Sequence, residues 1–295
     1  MNPIQIKIKQ DMPGFEDFFS SRVLLGNINM VVDLGPKRSV HRLIQSLQSM
    51  SIERLDYVLL THIHIDHAGG LFDILEQFPM VKAICHEKGI KHLVDPSRLW
   101  QGSLQTLGRL AEDYGVVKPV KKEQLIAHVD ADIPGLRIIE TPGHAAHHLS
   151  YIYEGTLFAG EAGGNYFKVG ELEYLRPATP PRFFLEEFLT SIKRLLDLGN
   201  QRICYAHVEE NPDSSIMLKR FYNQLLCWRE IIEKELIKSS DNLEARCVEG
   251  VLQKDPELGG FVAMQPDTQA RERMFIGNSV RGYLDFFHEI RGNPA

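Results

Sequence analysis

Ile4, Ile6 and Ile8 alternate with Gln5 and Lys7, the period of two that a half-buried β-strand shows. Val23–Leu25 and Asn29–Asp33 are short apolar runs closed by Gly26 and Gly35, which predicts two buried strands. Leu43, Ile44 and Leu47 fall at helical spacing within Val40–Met50. Tyr57–Leu60 predicts another buried strand, and it runs straight into Thr61 and His62. Leu71, Ile74, Leu75 and Phe78 mark a helix face after Gly69, Val81–Cys85 predicts a strand, and residues 97–114 read as helix. Strands and helices in alternation place the chain in the α/β class.

Further on, Leu136–Ile139 predicts a strand that ends at the turn signal Thr141-Pro142-Gly143. Leu149–Tyr153 and Thr156–Ala159 flank Glu154-Gly155 as a hairpin would. Residues 163–182, dense in glycine and proline, read as a long loop bordering a cleft, with Tyr166, Lys168 and Arg176 as either solvated loop groups or contacts for a polar substrate group. Phe183–Leu196 predicts a helix and Arg202–Tyr205 a strand. After Pro212 the pattern is helical: Phe221, Leu225, Trp228, Ile232 and Leu236 form one stripe, and Ile276, Val280 and Phe287 lie on another. The expected division is a catalytic body over residues 1–212 and a helical C-terminal region over 213–295.

Composition changes this picture little. Of 295 residues, 43% are hydrophobic and 24% charged, enough apolar material for a sizeable core. A net charge of −6 lacks the basic footprint of a nucleic-acid binder, so no nucleic-acid partner is expected. Cys85, Cys204, Cys227 and Cys247 form no C-x-x-C pair and read as reduced, mostly buried thiols. The N-terminal segment has no apolar core with a cleavage site, and no stretch approaches a membrane span. The expectation is a cytoplasmic protein with a small-molecule substrate and no membrane partner; a homodimer is left open.

The candidate chemistry lies in Thr61-His62-Ile63-His64-Ile65-Asp66-His67-Ala68-Gly69-Gly70. His62 and His64 are two apart, so on an extended segment they point the same way. Asp66 and His67 follow at the turn into a helix, and Gly69 and Gly70 let the backbone pass close to the site. Imidazole with carboxylate and no cysteine suits a catalytic Zn²⁺, Fe²⁺ or Mn²⁺ rather than a closed structural zinc.

This H-x-H-x-D-H run after a strand resembles the metallo-β-lactamase superfamily, whose members include glyoxalase II-like thioesterases, lactonases and phosphodiesterases. Further segments match in order: Val32-Asp33-Leu34-Gly35, Thr141-Pro142-Gly143-His144, Phe158-Ala159-Gly160-Glu161 and Tyr205-Ala206-His207. The resemblance implies a four-layer αββα sandwich with the helical region appended. It assigns His62, His64 and His144 to a first metal, and Asp66, His67 and His207 to a second. Glu161 stands where most members carry a bridging aspartate. Asp33 is expected to hydrogen-bond the ligand loop, and His148 to lie behind the ligands; His86 and His147 are not expected to ligate.

The implied activity is that of a binuclear metallo-hydrolase with two divalent ions, zinc before iron or manganese. A metal-bridging hydroxide attacks an ester, thioester, lactone or phosphoester, and Asp66 orients it or moves a proton. The alternative carried by the same fold is an iron-dependent oxidoreductase resembling the sulfur dioxygenases.

Overall fold

The computed structural model describes residues 2–207, 209–238 and 241–292; the outer ends of the two expected segments, Met1 and residues 293–295, lie outside the described residues. The chain forms two compact units. The first comprises Met1–Glu140, His147–Gly160 and Ala206–Val208, and the second Thr141–Ala146, Glu161–Tyr205 and Glu209–Ala295.

The first unit opens with β1 (Ile4–Ile8), β2 (Phe19–Leu24), β3 (Met30–Val32), α1 (Val40–Ser49), β4 (Tyr57–Leu59), α2 (Leu71–Gln77) and β5 (Lys82–Cys85). It continues through α3 (Glu87–Val94), α4 (Ser97–Leu107), α5 (Arg109–Tyr114), β6 (Leu125–Ala127), β7 (Arg137–Glu140), β8 (Leu149–Tyr153) and β9 (Thr156–Gly160). β1 to β6 form one sheet in chain order. β1, β2 and β3 pair antiparallel, and β3, β4, β5 and β6 pair parallel.

Parallel strands need both faces covered, and β3 is buried throughout while β4 and β5 are buried but for their first residue. α1 supplies part of the cover through Val40, Leu43 and Leu47, its predicted apolar face. β7, β8 and β9 form an antiparallel meander. The expected hairpin turns at Glu154 and Gly155, both at positive φ (46° and 74°), as a two-residue turn with the twist of its strands requires. Tyr151 of β8 donates its hydroxyl to the Leu60 carbonyl at 2.7 Å, just beyond β4.

Two expectations need correction. The helix expected over residues 97–114 is two helices, because Gly108 takes φ 56° and breaks the run. The long loop expected over residues 163–182 holds a hairpin of β10 (Asn165–Val169) and β11 (Leu172–Arg176), turning at Gly170 with φ 60°. Its glycines mark the turn; the alternation between them was too short to stand out.

In the second unit the hairpin is followed by α6 (Leu185–Leu196), β12 (Arg202–Tyr205), β13 (Glu210–Asn211), α7 (Ser214–Lys238), α8 (Leu243–Lys254) and α9 (Pro266–Gly292), with a 3₁₀ stretch at Pro256–Ala263 before α9. Trp228 of α7 is fully buried, and its indole N–H donates to Asp255 at 2.6 Å. Burial pushes the Asp255 carboxyl up, while that N–H and the Gln224 amide hold it the other way.

Tyr166 and Arg176 do not face solvent as the loop reading implied. Tyr166 is buried and donates to Glu173 at 2.7 Å. Arg176 is buried against Glu272 of α9, which also accepts from Arg271 at 2.8 Å. Such a charge group is tolerated inside a protein only when it is paired and hydrogen-bonded, so these residues tie the hairpin to α9.

Gly69 and Gly70 sit where the ligand loop is tightest. A Cβ at Gly69 would lie 2.1 Å from the Ile65 carbonyl oxygen and 2.8 Å from the Lys37 nitrogen. Both neighbours are backbone and cannot step aside. Gly69→Ala is expected to destabilise the fold by roughly 1–3 kcal/mol, as overpacking does, measurable as a lower urea midpoint at unchanged slope.

Candidate metal centre

The first unit brings together His62, His64, Asp66, His67 and His207. The four on the ligand loop follow β4 directly; His207 comes from the short segment Ala206–Val208. The His62 ring lies 4.0 Å from that of His67 and 4.5 Å from that of His64, centroid to centroid. The His207 ring is 5.3 Å from that of His67 and stacks on Phe18 at 4.1 Å. Asp66, His67 and His207 each present a ligand atom within 4.8 Å of the others.

Asp33 organises this half. It is 3% exposed and holds φ 52°, a left-handed conformation that aspartate tolerates better than most residues. One carboxylate oxygen accepts from the Thr61 backbone N–H at 2.9 Å. The other accepts from the Thr61 hydroxyl at 2.7 Å and faces His67 Nδ1 at 3.0 Å. The neighbouring backbone adds Leu34 N–H to the His67 carbonyl at 2.8 Å and Gly70 N–H to the Gly35 carbonyl at 3.1 Å.

These bonds fix where the imidazole protons sit. A carboxylate only accepts, so His67 Nδ1 carries the hydrogen and Nε2 keeps its lone pair. The Thr61 hydroxyl gives its hydrogen to Asp33. It can then only accept from His62 Nδ1, 3.0 Å away, which leaves His62 Nε2 with a lone pair as well.

The second unit brings together His144 and Glu161. His144 lies just beyond Gly143, where a Cβ would strike the Phe188 ring at 2.2 Å. His144 Nδ1 faces the Ala178 carbonyl at 2.8 Å, so Nδ1 donates and, in the neutral ring, Nε2 is the lone-pair atom. That atom is 2.6 Å from Glu161 Oε2. The other Glu161 oxygen accepts from the Asn165 amide at 3.0 Å. Two groups at such a distance share either a proton or a metal ion, and both residues are buried, at 8% and 5% exposure. The donor set fits a divalent ion: imidazoles with carboxylates, with His62, His67 and His144 each partnered at Nδ1 on the far side as metal ligands are.

The sequence profile of the metallo-β-lactamase superfamily matches residues 20–207. The chain belongs to that superfamily of metal-dependent hydrolases. It is 28% identical over 208 residues to a metallo-β-lactamase fold-containing protein of Sulfurisphaera tokodaii, covering 65% of this chain and 74% of the relative. It is 28% identical over 294 residues to a hydroxyacylglutathione hydrolase of Cupriavidus taiwanensis, covering 94% of this chain and 98% of that one. Among solved structures, an archaeal superfamily protein from Sulfolobus tokodaii aligns at TM-score 0.68 and 22% identity, over 97% of this chain and 100% of that chain. A family protein from Thermus thermophilus aligns at TM-score 0.65 and 18% identity, over 97% and 93%. The fold is the expected α/β sandwich of the superfamily with a mostly helical C-terminal region. No helix among the described residues is long and apolar enough to cross a membrane.

A second cluster in the first unit, His86, His128 and Glu140, also gathers three ligand-type atoms within 4.8 Å. Its hydrogen bonds run the other way. His86 Nδ1 accepts from the Lys88 backbone N–H at 3.1 Å, capping α3, and His128 Nδ1 accepts from the Glu87 N–H at 3.3 Å. Each ring therefore carries its hydrogen on Nε2, and both Nε2 atoms face Glu140, at 3.4 Å and 3.1 Å. Those positions then carry protons, and a metal there would have to displace them at the cost of the two backbone hydrogen bonds to Nδ1.

The sequence singled out these candidate ligands but not the groups that orient them. Thr61 and Ala178 have no signature, since a hydroxyl and a main-chain carbonyl act here through position alone. His147, set aside earlier, lies with its ring 5.7 Å from that of His64 and 6.4 Å from that of His62. His148 is fully buried with its ring 5.2 Å from that of His62, as expected.

Two outcomes follow from these assignments. Asp33→Asn replaces an acceptor by an amide that opposes Thr61 and His67, and is expected to weaken zinc binding about 10–100-fold in chelator competition. His86→Ala is expected to leave metal stoichiometry unchanged. Burial, then His128, hold His86 below its ordinary value of 6.5, so the folded state resists its protonation. Stability is therefore lost as the pH falls below that value, and His86→Ala should flatten this acid slope in urea titrations at pH 4.5–7.

Proposed function

We propose that the protein is a binuclear metallo-hydrolase in which His62, His64 and His144, with Glu161 beside them, would hold one divalent ion and Asp66, His67 and His207 would hold the other. The observation that carries this reading is the lone-pair arrangement: His62, His67 and His144 are each locked with Nδ1–H outward, and His144 Nε2 meets Glu161 at 2.6 Å. Imidazole and carboxylate donors without thiolate favour zinc, with iron and manganese as the other candidates. Bound at such a site, a pair of divalent ions supplies a nucleophilic water at neutral pH and an electrophile for the substrate's oxygen.

The residues do the rest. Asp66, whose side chain is 17% exposed with one oxygen 3.6 Å from His67 Nε2, would orient the attacking water and take up its proton. No serine or cysteine nucleophile is required, and Cys85 is unsuited to the task because burial pushes its thiol up to about 12. The similarity to a hydroxyacylglutathione hydrolase spans nearly the whole chain, helical region included. Carboxylic esters and thioesters are therefore the first substrates to try, ahead of lactones and phosphodiesters. In this reading residues 1–212 are the catalytic body and residues 213–295 the helical region that follows it in the chain.

The test is a metal-reconstituted activity panel across thioesters, esters, lactones and phosphodiesters, with elemental analysis of the purified protein. Chelation is expected to abolish hydrolysis, and two equivalents of zinc per chain to restore it. Full activity in the metal-free protein would refute the proposal. One iron per chain with an oxygen-consuming activity would replace it by the oxidoreductase reading.

A further inference from the structure

His144 takes its orientation from a backbone carbonyl, and a carbonyl in a loop is only as well placed as the loop. Ala178, which accepts from His144 Nδ1 at 2.8 Å, sits in Pro177-Ala178-Thr179-Pro180-Pro181, between β11 and α6. Three prolines leave this stretch with few N–H donors, so it can make little regular backbone structure of its own. Something else must hold it.

α9 does so, about a hundred residues further along the chain. The Ser279 hydroxyl donates to the Pro177 carbonyl at 3.0 Å and accepts from the Thr179 backbone N–H at 3.3 Å. The Thr179 hydroxyl donates to the Ser279 carbonyl at 3.2 Å. One serine thus grips the residues on both sides of Ala178. One turn later, Gly282 lets the helix backbone lie flush on the same loop: a Cβ there would stand 1.9 Å from the Thr179 oxygen and 2.9 Å from that of Pro180. One turn earlier, Phe275 lies under the Arg176 guanidinium at 4.7 Å, and Arg176 also donates to the Pro177 carbonyl at 3.2 Å. Ser279 and Thr179 are 2% and 0% exposed, so water does not substitute for either contact.

We propose that Ser279 and Thr179 are positioning residues for the metal ligand His144: α9 fixes the 177–181 loop, the loop fixes the Ala178 carbonyl, and the carbonyl fixes the tautomer and direction of the imidazole. This rests on the reading of His144 as a ligand. It gives the helical region a role in the metal centre, which the matched segment, residues 20–207, does not include.

The test compares metal affinity, read by chelator competition, with the absorption bands of the cobalt-substituted protein. Ser279→Ala and Thr179→Val are made singly, so that one remains informative should the other fail to fold. Tyr283→Phe serves as the control. It removes a buried hydrogen bond of α9, to the Leu225 carbonyl at 2.8 Å, without touching the loop. Each loop variant is expected to bind zinc about tenfold more weakly and to shift the cobalt bands, whereas Tyr283→Phe loses thermal stability with wild-type affinity and spectrum.

His144→Ala separates the two layers of the argument. If it weakens metal binding while both loop variants bind as wild type, the positioning role is wrong and the ligand assignment stands. If His144→Ala itself binds metal normally, the ligand assignment fails and this inference falls with it. Equal loss of affinity in Tyr283→Phe would also overturn it, since the effect would then be one of general stability.

Discussion

The site depends on one buried carboxylate. Asp33 accepts from the backbone and hydroxyl of Thr61 and from His67, all within 3.0 Å. It stands at the end of a central parallel strand, in a left-handed conformation that few residues adopt. The strand places it, the left-handed turn aims it, and while one oxygen holds the Thr61 backbone the other converts that aim into proton positions on two imidazoles. A ligand loop of short polar side chains would otherwise lose considerable rotamer freedom on ordering. Here the order is supplied by a group that also sets the basicity of the ligands.

The contrast between the two histidine clusters shows how much the far side of each ring decides. Residue type and spacing alone would make His86, His128 and Glu140 as good a cation site as Asp66, His67 and His207. The difference lies in whether Nδ1 meets an acceptor or a donor. A carboxylate, a carbonyl or an already committed hydroxyl leaves Nε2 open to a cation. A helix N-terminal N–H closes it with a proton.

Much of this was legible in the chain. The strand-helix alternation and the hairpin at Glu154-Gly155 gave the fold class, because hydrophobic period and turn chemistry act locally, whereas His144, Glu161 and His207 became ligand candidates only through the resemblance of their segments to the superfamily. The β10–β11 hairpin was read as loop because glycine and proline dominate its ends, and its strands are five residues each. Arg176 was read as a solvated charge because its counter-ion, Glu272, lies 96 residues away in the chain. Thr61, Ala178 and Ser279 carry no pattern at all. Their contribution comes from a single atom brought into place by the tertiary fold, and no local rule of sequence encodes that.

The two compact units are interleaved along the chain. The backbone passes from one to the other near Glu140, Ala146, Gly160 and Tyr205, and candidate ligands cluster beside these passages: His144, Glu161 and His207. No single break in the polypeptide separates the units. Neither can be trimmed away by simple truncation, and during synthesis the first unit stays incomplete until the segment bearing His207 emerges. Assembly of the ligand set is in this way deferred until more than two-thirds of the chain has been made.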